Sequence, residues 1–125
     1  YALGSEELIG IMRKCSASWN LNVCAQKAAV AGLADQEYYQ AQKAKIVEGR
    51  EYLEKEMAAL GCKVYPSQSN FIYFDTGKDP AWIQEQLMDK GIRIGAFEMS
   101  RVSVGTMEEC KLYIKALKEI LEAAE

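Results

Sequence analysis

Apolar residues recur at helical spacing through the first half of this chain and alternate through much of the second half. Leu8, Ile9 and Met12 share one helical face behind Ser5, a good N-cap, with Glu6 and Glu7 in the first turn, where a helix N-terminus favours negative charge. Ser16-Ala17-Ser18 interrupts this helix before Trp19-Asn20-Leu21-Asn22, and an alanine-rich helix follows from about Val23 to Leu33. Asp35 caps a third helix that continues to Leu60, where Gly61 supplies a left-handed stop. Ile46, Leu53, Met57 and Leu60 form its narrow apolar stripe. About 26 residues at the helical rise make a rod of about 39 Å, long enough to bridge two lobes.

Beyond Gly61 the period shortens to two. Cys62-Lys63-Val64-Tyr65 reads as a short half-buried strand, Pro66-Ser67-Gln68-Ser69 as a turn, and Asn70-Phe71-Ile72-Tyr73-Phe74 as a strand apolar on both faces. Asp79 caps, and Pro80 opens, a helix that stops at Gly91. Ile92 and Ile94 mark a further strand, then Arg101 to Val104 another, and the last helix places Cys110, Tyr113, Ile114, Leu117, Leu121 and Ala124 on its inner face. The pattern predicts an α+β fold: a small antiparallel or mixed sheet of three to four strands packed with helices. An all-helical segment with one long bridging helix precedes it.

Composition narrows the function classes. The 125 residues are 50% hydrophobic and 26% charged with a net charge of -3, enough for one core and without a basic stripe for phosphate backbones. Nucleic acid is therefore not an expected partner, nor is a membrane, since no apolar run is long enough to span one. The four cysteines, Cys15, Cys24, Cys62 and Cys110, form no C-x-x-C pair and are expected to be reduced, mostly buried thiols of a cytoplasmic protein. With no histidine in the chain, a metal site is not expected.

Chemistry concentrates in Arg101-Val102-Ser103-Val104-Gly105-Thr106-Met107-Glu108-Glu109. Strand alternation turns Val102 and Val104 to a core and Arg101 and Ser103 away from it. Thr106 and Glu109 have capping-box spacing, which marks the start of the last helix and anchors the strand before it. Arg101 can offer its planar fork to a carboxylate or phosphate, or can be an ordinary surface arginine. Asn70 can position a substrate or close the turn before its strand, and Asn20 and Asn22 suit helix entry.

Four segments, in order, resemble the C-terminal portion of a fold-type-I pyridoxal-phosphate-dependent aminotransferase, nearest the histidinol-phosphate aminotransferase group. They are Tyr1-Ala2-Leu3-Gly4 with Glu7-Leu8-Ile9; Asn20-Leu21-Asn22 with Ala25-Gln26; Leu60-Gly61 through Val64, Pro66-Ser67 and Asn70-Phe71; and Arg101 through Thr106 with Glu108-Glu109. Tyr1-Ala2-Leu3-Gly4 also reads as the end of a strand without its beginning, as in a piece of a longer chain.

The resemblance implies that residues 1–34 end the large cofactor domain and that residues 35–125 form the small domain. Arg101 then matches the arginine that binds an anionic group of an amino-acid or amino-phosphate substrate, with Asn70 as a further substrate-binding candidate. The whole enzyme would carry pyridoxal phosphate, act in histidine biosynthesis, and be a cytoplasmic homodimer. The Schiff-base lysine lies outside the matching segments, so this chain is expected to hold no catalytic residue, to bind no cofactor alone, and to be inactive alone.

Relatives often carry a second anion-binding arginine near Gly95-Ala96; here Arg93 stands close by, and Cys110 replaces a usual asparagine. Those departures leave open a related enzyme, such as a threonine-phosphate decarboxylase. Two other classes also stay open: a stand-alone anion-binding α+β module needing no lysine, and an interaction surface on the helix bearing Tyr38, Tyr39 and the Ile46-to-Leu60 stripe.

Overall fold

The computed structural model describes residues 2–18 and 20–124; Tyr1 and Trp19, named in the segments above, lie outside the described residues. Two compact units are resolved, residues 1–39 and 40–125, the division falling within the third helix.

In the first unit, α1 (Glu6–Cys15) starts at Ser5, whose Oγ accepts the Leu8 N–H at 3.3 Å. Acidic Glu6 and Glu7 in its first turn and basic Arg13 and Lys14 in its last complement the helix dipole. Ala2 to Gly4 form no strand and run directly into this cap, so the strand end expected there is absent from the described residues. Helix α2 (Val23–Ala34) is capped by Asn22, whose Oδ1 accepts the Ala25 N–H at 2.7 Å, the helix-entry role its position suggests. Asp35 in turn accepts the Tyr38 N–H at the start of α3 (Gln36–Ala59).

The second unit holds the rest of α3, β1 (Lys63–Val64), β2 (Phe71–Asp75), α4 (Pro80–Asp89), β3 (Gly95–Ala96), β4 (Ser100–Ser103) and α5 (Met107–Ala123). The four strands form one antiparallel sheet in the order β1-β2-β4-β3. Opposite residues in the central pair are Phe71 and Ser103, Ile72 and Val102, Tyr73 and Arg101, and Phe74 and Ser100. Period-two alternation sends Ile72, Phe74 and Val102 into one core with Leu53 and Met57 of α3, Ile83 and Leu87 of α4, and Leu117 of α5. Phe71, Tyr73 and Arg101 occupy the other, half-exposed face. The small α+β sheet with helical packing is therefore as the pattern predicts.

The helix stops are local. Gly61 and Gly91 have φ of 82° and 76°, backbone that costs glycine little. Past Gly91 the chain departs from expectation, because Ile92 and Ile94 are not a strand. The Ile92 N–H donates back to the Leu87 carbonyl at 2.9 Å, and the Ile94 carbonyl accepts from Gln84 Nε2 at 2.7 Å. These groups are committed to α4, so pairing with β4 begins only at Gly95. The cysteines also divide: Cys62 and Cys110 are buried, whereas Cys15 and Cys24, expected to be mostly buried, are exposed on helices that bury no residue.

Gly49 is buried in α3 where the helix passes the end of the β4 segment. A Cβ there would lie 2.8 Å from Val104 Cγ1. Gly49→Ala gains up to about 1 kcal/mol of helix propensity but forces a stiff β-branched neighbour to move, a cost of about 1–3 kcal/mol. The clash is expected to win, lowering the melting midpoint by about 4–8 °C for each net kcal/mol in a domain of this size. A thermal melt that instead rose would show Val104 yielding freely.

Candidate functional site

The strand carrying Arg101 is fixed at both ends and along its length. Its ladder with β2 sets the register, and the Val104 N–H extends it by donating to the Asn70 carbonyl at 2.8 Å. Immediately after, Thr106 Oγ1 accepts the Glu109 N–H at 3.3 Å while Glu109 Oε2 accepts the Thr106 N–H at 2.7 Å, completing the capping box that the spacing indicates. The hydrogen bond from the Thr106 backbone N–H holds the Glu109 carboxyl below the usual carboxylate range, with the Thr106 side chain adding to it. The turn before β2 is tied as well. Ser67 Oγ donates to the Phe71 carbonyl at 2.6 Å, and Arg50 Nη1 of α3 donates to the Ser69 carbonyl at 3.3 Å.

On this frame the Arg101 side chain is half-buried on the sheet face away from the helices. Its guanidinium carbon lies 5.2 Å from the centre of the Phe71 ring and 5.3 Å from that of Phe97, within cation–π range of both. Phe71 is braced by an edge-to-face contact with Tyr73 at 5.7 Å between ring centres. Phe97 reaches the arginine because the turn after β3 closes with its N–H on the Met99 carbonyl at 3.1 Å. Gly95 makes room for that ring: a Cβ there would fall 2.8 Å from Phe97 Cε2. Among the described residues the ion pairs are Arg50 with Glu54, Lys90 with Glu119 and Lys118 with Glu122, and none involves Arg101.

Beside Arg101 opens a cleft of about 390 Å³, lined by Gln84, Arg93, Phe97 and Ser103 and by the Ile94 to Ala96 segment. Its lining contains two arginines and no carboxylate. Such a cleft can receive an anion, since rings hold the guanidinium in place while leaving its N–H donors available. Asn70 does not line the cleft; it is exposed at the start of β2 with its Oδ1 accepting from Ser69 Oγ at 3.4 Å. A second cleft of about 370 Å³ shares Arg93 and Ser103 with the first and runs toward Cys110. Burial pushes the Cys62 thiol up to about 11 and also raises Cys110, so both are protonated at neutral pH and neither is an activated nucleophile.

Phe71, Phe97 and Gln84 were not among the candidates from sequence. Phe71 has a legible signal, since it shares strand parity with Tyr73 on the face away from Ile72. Phe97 has none, because only the turn after β3 brings it back over Arg101.

A four-stranded antiparallel sheet with three helices on one face and an arginine cleft on the other defines a small α+β lobe of the kind expected. The chain belongs to the aminotransferase class I and II family, which matches residues 1–117. A histidinol-phosphate aminotransferase from Moorella thermoacetica is 32% identical over 127 residues, covering 97% of this chain and 33% of that protein. The crystal structure of histidinol-phosphate aminotransferase from Sinorhizobium meliloti in complex with pyridoxal-5'-phosphate matches with a TM-score of 0.69 at 31% identity, over 78% of this chain and 29% of that one. A decarboxylase from Sulfurospirillum multivorans matches with a TM-score of 0.75 at 19% identity, over 95% of this chain and 38% of that one, a likeness of fold alone. The chain thus spans about a third of the length of the curated relatives it matches. Among the described residues no helix is long and apolar enough to cross a membrane.

Proposed function

We propose that residues 35–125 are the substrate-binding small domain of a pyridoxal-phosphate-dependent aminotransferase of the histidinol-phosphate type, and that residues 1–34 end its large domain. The observation that carries this reading is Arg101, clamped between two rings and without a carboxylate partner among the described residues, in a chain of the aminotransferase family. In it Arg101 binds the anionic group of an amino-acid or amino-phosphate substrate. Asn70 lies outside the Arg101 cleft, its carboxamide exposed while its carbonyl is spent on Val104, so in this reading it would meet only a part of the substrate that extends past the cleft.

Pyridoxal phosphate would supply the electron-accepting ring through which an amino group passes to a 2-oxo acid. No lysine lines the Arg101 cleft, so the residues described here do not fit the imine-forming role. That role is assigned to sequence beyond them, in a whole enzyme that is a homodimer of histidine biosynthesis, and these residues alone are inactive. The decarboxylase reading stays second, because the same lobe fold also occurs in a decarboxylase.

The test is the intact mass of the native protein from its source cells, with its absorbance after pyridoxal phosphate is added. A chain about three times longer with a bound imine is expected. A native chain of 125 residues without an imine would replace this reading with a stand-alone anion-binding module.

A further inference from the structure

The turn before β2 is tied to the long helix by one side chain. Arg50 Nη1 donates to the Ser69 carbonyl at 3.3 Å, the one hydrogen bond between the 66–70 turn and a helix among the described residues. Ser67 closes the turn from within, its Oγ accepting the Ser69 N–H at 3.0 Å and donating to the Phe71 carbonyl at 2.6 Å. The segment held in this way has two outlets toward β4. The Asn70 carbonyl accepts the Val104 N–H at 2.8 Å, and the centre of the Phe71 ring lies 5.2 Å from the Arg101 guanidinium carbon.

Arg50 is placed for this tie at the expense of a closer one. Its side chain is 11% exposed, and Nε faces Glu54 Oε1, one turn along α3, across 4.0 Å. Both atoms are buried and without a hydrogen-bond partner. At that separation the two charges attract but no hydrogen bond forms. An arginine whose task was to pair with Glu54 would close the gap, because a charge-assisted bond to a carboxylate is the stronger one. Here Glu54 balances the charge, and the hydrogen bond goes to a carbonyl nineteen residues away.

We propose that Arg50 is a positioning residue: through the Ser69 carbonyl it fixes where β2 begins and so holds the Phe71 ring against Arg101. The proposal rests on the anion-binding role of Arg101 and adds a residue that lines neither cleft.

The test is a double-mutant cycle of Arg50→Met and Phe71→Leu in the intact enzyme, labelled with nitrogen-15 in arginine. The Arg101 Nε–H resonance, identified by its loss in Arg101→Lys, is displaced by the ring current of Phe71 and reports where that ring sits. Arg50→Met is expected to move the resonance clearly toward its position in Phe71→Leu. It is also expected to raise the KM for histidinol phosphate about two- to tenfold with kcat within about twofold, and to add nothing to either effect in the Phe71→Leu background. A resonance unmoved by Arg50→Met, or a KM effect of full size in the Phe71→Leu background, would overturn the proposal, since a tie that serves stability alone does not act through one ring. If Arg50→Met melts below the assay temperature, Arg50→Met combined with Glu54→Gln takes its place in the cycle, because it leaves no uncompensated charge behind. An unchanged KM in Arg101→Ala would overturn the reading of the site instead, and the resonance would still decide whether Arg50 places the ring.

Discussion

In the intact enzyme, Arg101→Ala is expected to raise the KM for the anionic amino substrate about 10- to 100-fold, since a hydrogen bond to a charged group contributes about 1.5–3 kcal/mol. The absorbance of the cofactor imine should stay unchanged, because Arg101 lies in a cleft that no lysine lines. The two rings sharpen the effect. Phe71 and Phe97 hold the guanidinium before any substrate arrives, so little side-chain entropy is lost on binding, and that advantage disappears with the arginine. Arg101→Lys should not restore the wild-type KM, because an ammonium is a point charge without a planar fork and stacks less well between rings. If kcat stays near wild type while KM rises, the arginine binds ground state and transition state alike, as expected of a residue that grips a distant anionic group. An unchanged KM in Arg101→Ala removes this residue from the site.

How much of this was legible in the sequence depends on how local each determinant is. Ser5, Asn22, Asp35, Asp79 and Thr106 all cap helices where the pattern places them, because a cap is settled within about four residues of chain. The pattern places strand β3 three residues early for the opposite reason. Ile92 and Ile94 look like a strand from their own alternation, but the hydrogen bonds that decide the matter come from Leu87 and Gln84 of α4. Leu53 and Met57 mark the buried face of α3 in the sequence, yet Gly49, also buried, carries no apolar signal. It is there because Val104 approaches from just past the end of β4, more than fifty residues away.

The site divides along the same line. Arg101 stood out because valines alternate around it and a capping box follows, features contained in nine consecutive residues. Its surroundings did not stand out, since Phe71 comes from the neighbouring strand and Phe97 from a turn that folds back over Gly95. Arg93 is in view in the sequence, but its place in the cleft depends on a segment whose alternation resembles a strand and whose hydrogen bonds go to α4. Family likeness offered no substitute for this geometry: the lobe fold also matches a decarboxylase, so substrate class must be argued from the side chains that line the cleft.

Phe74→Ala is expected to be the most destabilising single truncation in the second unit, at about 3–5 kcal/mol, because a cavity is left in addition to the lost transfer energy. Phe74 is fully buried, pairs with Val64 on one side and Ser100 on the other, and meets Tyr113 of α5 edge-on at 6.3 Å between ring centres. Tyr113 has little freedom to fill the gap, since its hydroxyl lies 3.6 Å from Met57 Sδ. Denaturant unfolding should show a lower midpoint with an unchanged slope, the mark of lost stability without a change in the surface exposed. Against a total stability of about 5–15 kcal/mol, such a loss would leave the sheet marginal. The consequence reaches the site because β2 is also the strand that sets the register of β4. Phe74 anchors its buried face as Phe71 braces Arg101 on the other, so loosening one weakens the alignment of the other. A loss below about 1 kcal/mol would mean that the core collapses around the gap, and that the register of Arg101 is held by the Thr106–Glu109 cap instead.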